Sequence, residues 1–111
     1  MEPFNNLSAN DWSSEQQKQN GEIIDVRTPG EFADSFIKGA SNIDVMSPDF
    51  PNKVSTLDKS RPYFVYCRSG QRSANAMNMM KQAGFSAVYN LDGGIMGWEF
   101  NGLEVEYGGD L

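Results

Sequence analysis

The run Tyr63-Phe64-Val65-Tyr66-Cys67-Arg68-Ser69-Gly70-Gln71-Arg72-Ser73 decides the architecture of this chain. Its first four residues are aromatic or β-branched, the composition of a strand buried on both faces. Past Ser73, Ala74, Met77, Met80 and Ala83, with Ala76 beside them, recur at helical spacing. The polar stretch between is therefore a loop that closes over a helix N-terminus, where unpaired N–H groups and the positive end of the helix dipole converge. Gly70 permits the turn. The chain's only cysteine stands at the entrance to this loop, so its pKa is expected below the free-thiol value of about 8.5.

Charge supports the same reading. Nine Lys and Arg against fifteen Asp and Glu give a formal net charge of −6, yet no acidic residue occurs from Lys59 through Leu91. Lys59, Arg61, Arg68, Arg72 and Lys81 all fall in that window. An acidic chain that is basic around its thiol points to an anionic substrate or intermediate. A cysteine serving only as a small buried hydrophobe would need neither the arginines nor the glycine turn.

Working outward, strands alternate with helices, the pattern of an α/β domain. Ser8 with Asp11 caps a polar helix running to about Gln19, anchored by Trp12 and ended by Asn20-Gly21. A strand is expected over 22–26, a short helix from Pro29 through Asp34, and a strand over 42–45. Phe50, Val54 and Leu57 have the spacing of a further short helix. The helix after the cysteine loop ends with Lys81 in its last turn and Gly84 as its cap. Strands are then expected over 87–91 and 103–107, separated by a Gly93-Gly94 turn and a short helix carrying Trp98 as a core residue. Met77, Met79 and Met80 are expected in the packing.

With 111 residues, the chain fits one domain spanning 1–111, with a core over about residues 7–107 and short tails. Met1 through Asn6 carry neither a basic leader nor an apolar core, so no signal peptide is expected. No stretch reaches membrane-spanning length. A single cysteine cannot form an internal disulfide, which fits a reducing compartment, and the cytoplasm is the expected location. The acidic balance disfavours nucleic acid as a partner.

The cysteine loop resembles the active-site loop of the rhodanese sulfurtransferases, and three further motifs extend the likeness along the chain. Ile23-Ile24-Asp25-Val26-Arg27-Thr28-Pro29-Gly30-Glu31-Phe32 is similar to the family's first strand and turn. Ile37-Lys38-Gly39-Ala40-Ser41-Asn42-Ile43 resembles its second strand entry, and Leu91-Asp92-Gly93-Gly94-Ile95-Met96-Gly97-Trp98 its closing turn and helix. The resemblance implies a three-layer α/β domain: a central, mostly parallel five-stranded sheet with helices on both faces. Such sheets bind ligands beyond the carboxyl ends of their strands, and Cys67 stands at one.

The residues also limit the chemistry. The chain has no histidine, so no Cys-His pair can form and the loop itself must generate the thiolate. One cysteine and no histidine leave almost no scope for zinc, and no second cysteine is present for Cys-X-X-Cys redox chemistry. No metal or cofactor is expected. The rhodanese resemblance implies a ping-pong sulfur transfer: Cys67 takes a sulfane sulfur from a donor such as thiosulfate and passes it to cyanide or a thiol. In that scheme the N–H groups of Arg68, Ser69, Gly70, Gln71, Arg72 and Ser73 line the cradle. Arg68 meets an anionic donor, and Arg72 either does the same or ties the loop to an acid. Asp25 and Arg27 support the loop as the family's matching strand end does, or form a turn paired to Glu31 or Asp34.

The chain departs from the family pattern at two places. Ser35-Phe36 stands where most members have Gly-His, and Ser69 where efficient thiosulfate users often carry lysine, so only modest thiosulfate turnover is expected. Two alternatives remain. One is a persulfide relay acting with a protein partner. The other is a phosphatase or arsenate reductase of the same fold, which needs five residues between cysteine and arginine; here only Arg68 to Gln71 intervene.

Overall fold

The computed structural model describes residues 2–108; Met1 and residues 109–111, parts of the expected tails, lie outside the described residues. The elements run β1 (Asn5–Leu7), α1 (Ala9–Gln19), β2 (Glu22–Asp25), α2 (Pro29–Asp34), β3 (Ser35–Phe36), β4 (Ala40–Asn42), α3 (Phe50–Ser55), β5 (Pro62–Tyr66), α4 (Gln71–Gln82), β6 (Ala87–Leu91), α5 (Gly94–Phe100) and β7 (Glu106–Tyr107). The central sheet has the order β1-β6-β5-β2-β4, and every pairing in it is parallel. The expected five-stranded α/β sheet is therefore present, with β5, the cysteine strand, at its centre.

Alternation along the central strands sorts the core into two layers, because successive side chains point to opposite faces. Ile24, Tyr63, Val65 and Val88 pack with Phe50 and Val54 of α3 and with Ala76, Met77 and Met80 of α4. Ile23, Phe64, Tyr66, Tyr89 and Leu91 pack on the other face with Trp12 of α1 and with Ile95 and Trp98 of α5. Trp12 is fully buried and makes edge contacts with Phe64, Tyr66 and Trp98, at ring-centroid distances of 5.7, 6.1 and 5.6 Å. One tryptophan thus joins a polar helix to β5 and α5, and its replacement by alanine would cost about 3–5 kcal/mol.

The structure differs from the sequence expectations in four strands, one of them β3, where none was expected, and in one helix face. The fifth strand of the main sheet is Asn5–Leu7, which the sequence reading placed largely in the N-terminal tail. Only its Leu7 is buried, so a three-residue edge strand leaves almost no apolar pattern. The segment expected over 103–107 shrinks to β7, which pairs antiparallel with β3 in a separate two-stranded ribbon. The strand expected over 42–45 sits at Ala40–Asn42 instead. There the Asn42 amide donates to the Asp25 and Arg27 carbonyls at 3.0 and 2.9 Å, and beyond it the Ile43 and Val45 N–H groups still donate to the Asp25 and Val26 carbonyls. Met77 and Met80 are buried, but Met79 is 39% exposed because it falls on the outer face of α4.

Candidate active site

The end of β5 delivers Cys67 to the start of α4, and the turn between them wraps around the sulfur. Gly70 has φ +105°, a conformation open to glycine, and this aims its N–H at Sγ over 3.1 Å. The Ser73 hydroxyl donates to the same sulfur at 3.3 Å from the first turn of α4. Cys67 is 1% exposed. Burial alone would raise its pKa. Hydrogen bonding from the Ser73 hydroxyl and N–H, and from the Gly70 and Ser69 N–H groups, outweighs burial and leaves the thiol below its ordinary value. The hydrogen bonds that reach Sγ directly come from the Gly70 N–H and the Ser73 hydroxyl.

Two neighbours fix the loop in place. The N–H groups of Ile95 and Met96, in the first turn of α5, donate to the carbonyls of Cys67 and Arg68 at 2.9 and 3.1 Å. A methyl group on Gly94 would overlap the Arg68 carbonyl, so the Gly93-Gly94 turn brings α5 against the loop at a distance only glycine allows. On the other side, buried Asn90 of β6 donates to the Gly70 carbonyl at 3.0 Å and to the Asn6 side chain at 2.9 Å. The sequence reading assigned neither contact. The glycine pair was a visible signal for the first; a lone asparagine in a strand offers none for the second.

The arginines separate by partner. Arg72 forms a two-pronged pair with Glu31 at the start of α2, at 2.8 and 2.9 Å, rather than pointing an unpaired guanidinium at Sγ. Glu31 also accepts from the Thr28 N–H and hydroxyl, while the Thr28 oxygen accepts from the Glu31 N–H in a complete capping box. Arg72 above all, then Thr28, holds the Glu31 carboxyl down at about 2. Of the two readings for Arg72, the tie to an acid is the contact present. Glu31 was not among the expected site residues, though the Thr-Pro-Gly-Glu run carries the capping signal in its spacing.

Asp25 and Arg27 pair with each other, not with Glu31 or Asp34. Arg27 Nε lies 3.0 Å from each Asp25 carboxylate oxygen, and Nη2 lies 2.6 Å from Oδ2. Arg27 also donates to the Ser35 carbonyl and sits over the Tyr66 ring, 5.7 Å from its centroid. Burial disfavours the Arg27 charge, but Asp25 more than compensates and the guanidinium pKa is raised. The pair thus braces the end of β2 against β3, and it makes no hydrogen bond to the cysteine loop.

Arg68 remains at the surface, its Nε donating only to the Met96 sulfur at 3.2 Å. It lines a cavity of about 280 Å³ together with Asp34 and Glu99, while Ser69 lines a neighbouring groove of about 440 Å³ with Met96 and Phe100. Gln71 is exposed at the first position of α4 and has no side-chain partner among the described residues. No three His, Cys, Asp or Glu side chains among the described residues converge as a metal site. No helix among the described residues is long and apolar enough to cross a membrane.

The arrangement favours a sulfur anion in a buried turn whose next two residues, Arg68 and Ser69, line the two surface depressions. A family model described as Rhodanese-like domain matches residues 8–101. A sulfurtransferase of Allochromatium vinosum is 37% identical over 83 residues, covering 75% of this chain and 76% of its own length. The thiosulfate sulfurtransferase GlpE of Shewanella oneidensis is 32% identical over 98 residues, covering 88% of this chain and 95% of its own. The solution structure of a rhodanese-like domain from Anabaena matches with a TM-score of 0.81 at 30% identity, over 96% of this chain and 80% of that one.

Proposed function

From the premise that this chain belongs to the rhodanese-like domain family, whose relatives above support sulfurtransferase activity in general, we propose that Cys67 transfers sulfane sulfur through a persulfide. The observation that carries this reading is the sulfur itself. Sγ takes hydrogen bonds from Gly70 and Ser73, and its pKa is lowered in a chain with no histidine to act as base.

In the first half-reaction the Cys67 thiolate attacks the outer sulfur of a donor such as thiosulfate. A bond forms between Sγ and that sulfur, the donor's S–S bond breaks, and sulfite leaves with the electron pair. The persulfide anion then rests over the same loop donors, which favour charge at that point. In the second, cyanide or a thiolate attacks the outer sulfur, and the electron pair returns to Sγ as thiolate. Arg68 is the guanidinium placed to meet an anionic donor; Ser69 adds no second charge, which keeps thiosulfate turnover modest. Ser69, Gly70, Gln71, Arg72 and Ser73 shape the cradle, and Asp25 and Arg27 brace the strand end beside it. A chemistry that needs a free thiolate belongs in a reducing compartment, and the cytoplasm fits.

The phosphatase alternative loses support from Arg72. An arginine that must grip phosphoryl oxygens is here committed to Glu31 in a loop with only four intervening residues.

The test is whole-protein mass after incubation with thiosulfate. The expected result is a gain of one sulfur atom that cyanide removes, absent in Cys67→Ser. Sulfur transfer retained by Cys67→Ser would end the proposal.

A further inference from the structure

The outer face of α5 borders the cysteine loop and is apolar where a small anionic substrate would need nothing apolar. Phe100 is 90% exposed and Met96 51%, and with Ser69 they line the groove of about 440 Å³. Met96 also lines the cavity of about 280 Å³ on the other flank, so it forms the ridge between the two. Ser69 borders one depression and Arg68 the other, and both follow Cys67 directly in the chain.

Apart from Arg68, the unpaired charges on the cavity wall are acidic. Arg27 is taken by Asp25 and Glu31 by Arg72. That leaves Arg68 facing Asp34 and Glu99, two exposed carboxylates with no ion-pair partner among the described residues. A dianion arriving here meets one guanidinium and two like charges. A cation is favoured, and an aromatic shelf beside it supplies area that suits a side chain on a polypeptide.

Resting on the persulfide reading above, we propose that the physiological acceptor is a cysteine on a polypeptide, flanked by a basic residue that meets Asp34 and Glu99 and by an apolar one that lies over Met96 and Phe100. The acceptor thiol loses its proton to solvent, and its thiolate attacks the outer sulfur of the Cys67 persulfide. The new S–S bond forms on the acceptor as the Sγ–S bond breaks, and the pair returns to Cys67.

The test uses the full chain loaded with inorganic polysulfide, then discharged by acetylated, amidated tripeptides: Leu-Cys-Arg, Leu-Cys-Glu and Gly-Cys-Arg. The readout is loss of the Cys67-bound sulfur by whole-protein mass, with rates compared per thiolate to remove differences in peptide pKa. Leu-Cys-Arg should outpace Leu-Cys-Glu by about two- to fivefold, the span of an exposed charge contact. It should outpace Gly-Cys-Arg by about fivefold, from half-burying one leucine. Glu99→Gln should shrink the Arg-over-Glu ratio and Phe100→Ala the Leu-over-Gly ratio. Both readouts are ratios within one protein, so partial unfolding or partial loading does not mimic them. Equal rates for the three peptides would overturn the proposal while leaving the persulfide reading intact. A persulfide that no thiol discharges, 2-mercaptoethanol included, would defeat both. A dimer in sedimentation that Phe100→Ala dissociates would assign the shelf to a second copy of the chain and also overturn the proposal.

Discussion

The Cys67 thiol stands between two opposing effects. A sulfur that is 1% exposed is driven toward the neutral thiol, and three backbone N–H groups and one hydroxyl drive it back toward the anion. Ser73 contributes twice, through its side chain and its N–H, and heads the causes that lower the pKa. Ser73→Ala removes the hydroxyl and keeps the helix. Its expected effect is a rise in the Cys67 pKa, read as an upward shift in the midpoint of iodoacetamide alkylation against pH. The wild-type midpoint should lie below about 8.5. A midpoint unmoved by the substitution would mean the 3.3 Å contact carries no weight. Asp25 and Arg27 show the limit of reading at this scale. Both were recognised as a strand-end pair of interest, but which group each would bind depended on the fold around them.

At the scale of elements, the cysteine loop is held from three sides: by the first turn of α5, by Asn90 of β6, and by the pair that links α2 to α4. The last is testable through acid. The Glu31 pKa is depressed to about 2, first by Arg72 and then by Thr28, against an unfolded value of about 4.3. A carboxylate with a depressed folded pKa contributes stability that is complete above its unfolded pKa and is lost as pH falls toward its folded one. Glu31→Gln should therefore cost about 1 kcal/mol at neutral pH, discounted because the pair is partly exposed. It should also flatten the loss of stability between about pH 4.5 and 2. Urea denaturation at a series of pH values checks both; parallel curves for the two proteins would show the pair to be energetically silent. The strands that escaped sequence reading also belong to this scale. Asn5–Leu7 and Ser35–Phe36 are three and two residues long, too short for period-2 alternation to rise above chance.

For the whole molecule, a net charge of −6 is spread over a body with a radius of gyration of 12.8 Å. At about 0.01 M salt the screening length of about 30 Å exceeds that radius, so an approaching ion meets the field of the entire protein. At about 0.1 M, where the length is about 10 Å, it meets only the surroundings of Arg68. Raising salt between these limits should therefore increase kcat/KM for thiosulfate, by about twofold, and lower the discharge rate with a cationic peptide thiol. Steady-state kinetics with cyanide as acceptor would check the first. A thiosulfate rate that falls with salt would show that local attraction dominates the field of the molecule.

The alternation of the longer elements, from β2 and α2 through β5, α4, β6 and α5, and the cysteine loop with its lowered thiol pKa were legible in the sequence alone, because each rests on local signals. An apolar run, a polar turn with glycine, a helical stripe and four spaced motifs are properties of neighbouring residues. The partners of charged groups were decided only by the tertiary structure. Arg72 and Glu31 lie 41 positions apart and meet because α2 and α4 converge beside the cysteine loop. Asn90 reaches Gly70 across 20 positions because β6 lies beside β5. Two carboxylates were left facing the site mouth once the other charges had paired. Any arginine in a sequence has many carboxylates within reach of its long side chain, and packing, not spacing, selects the one it binds.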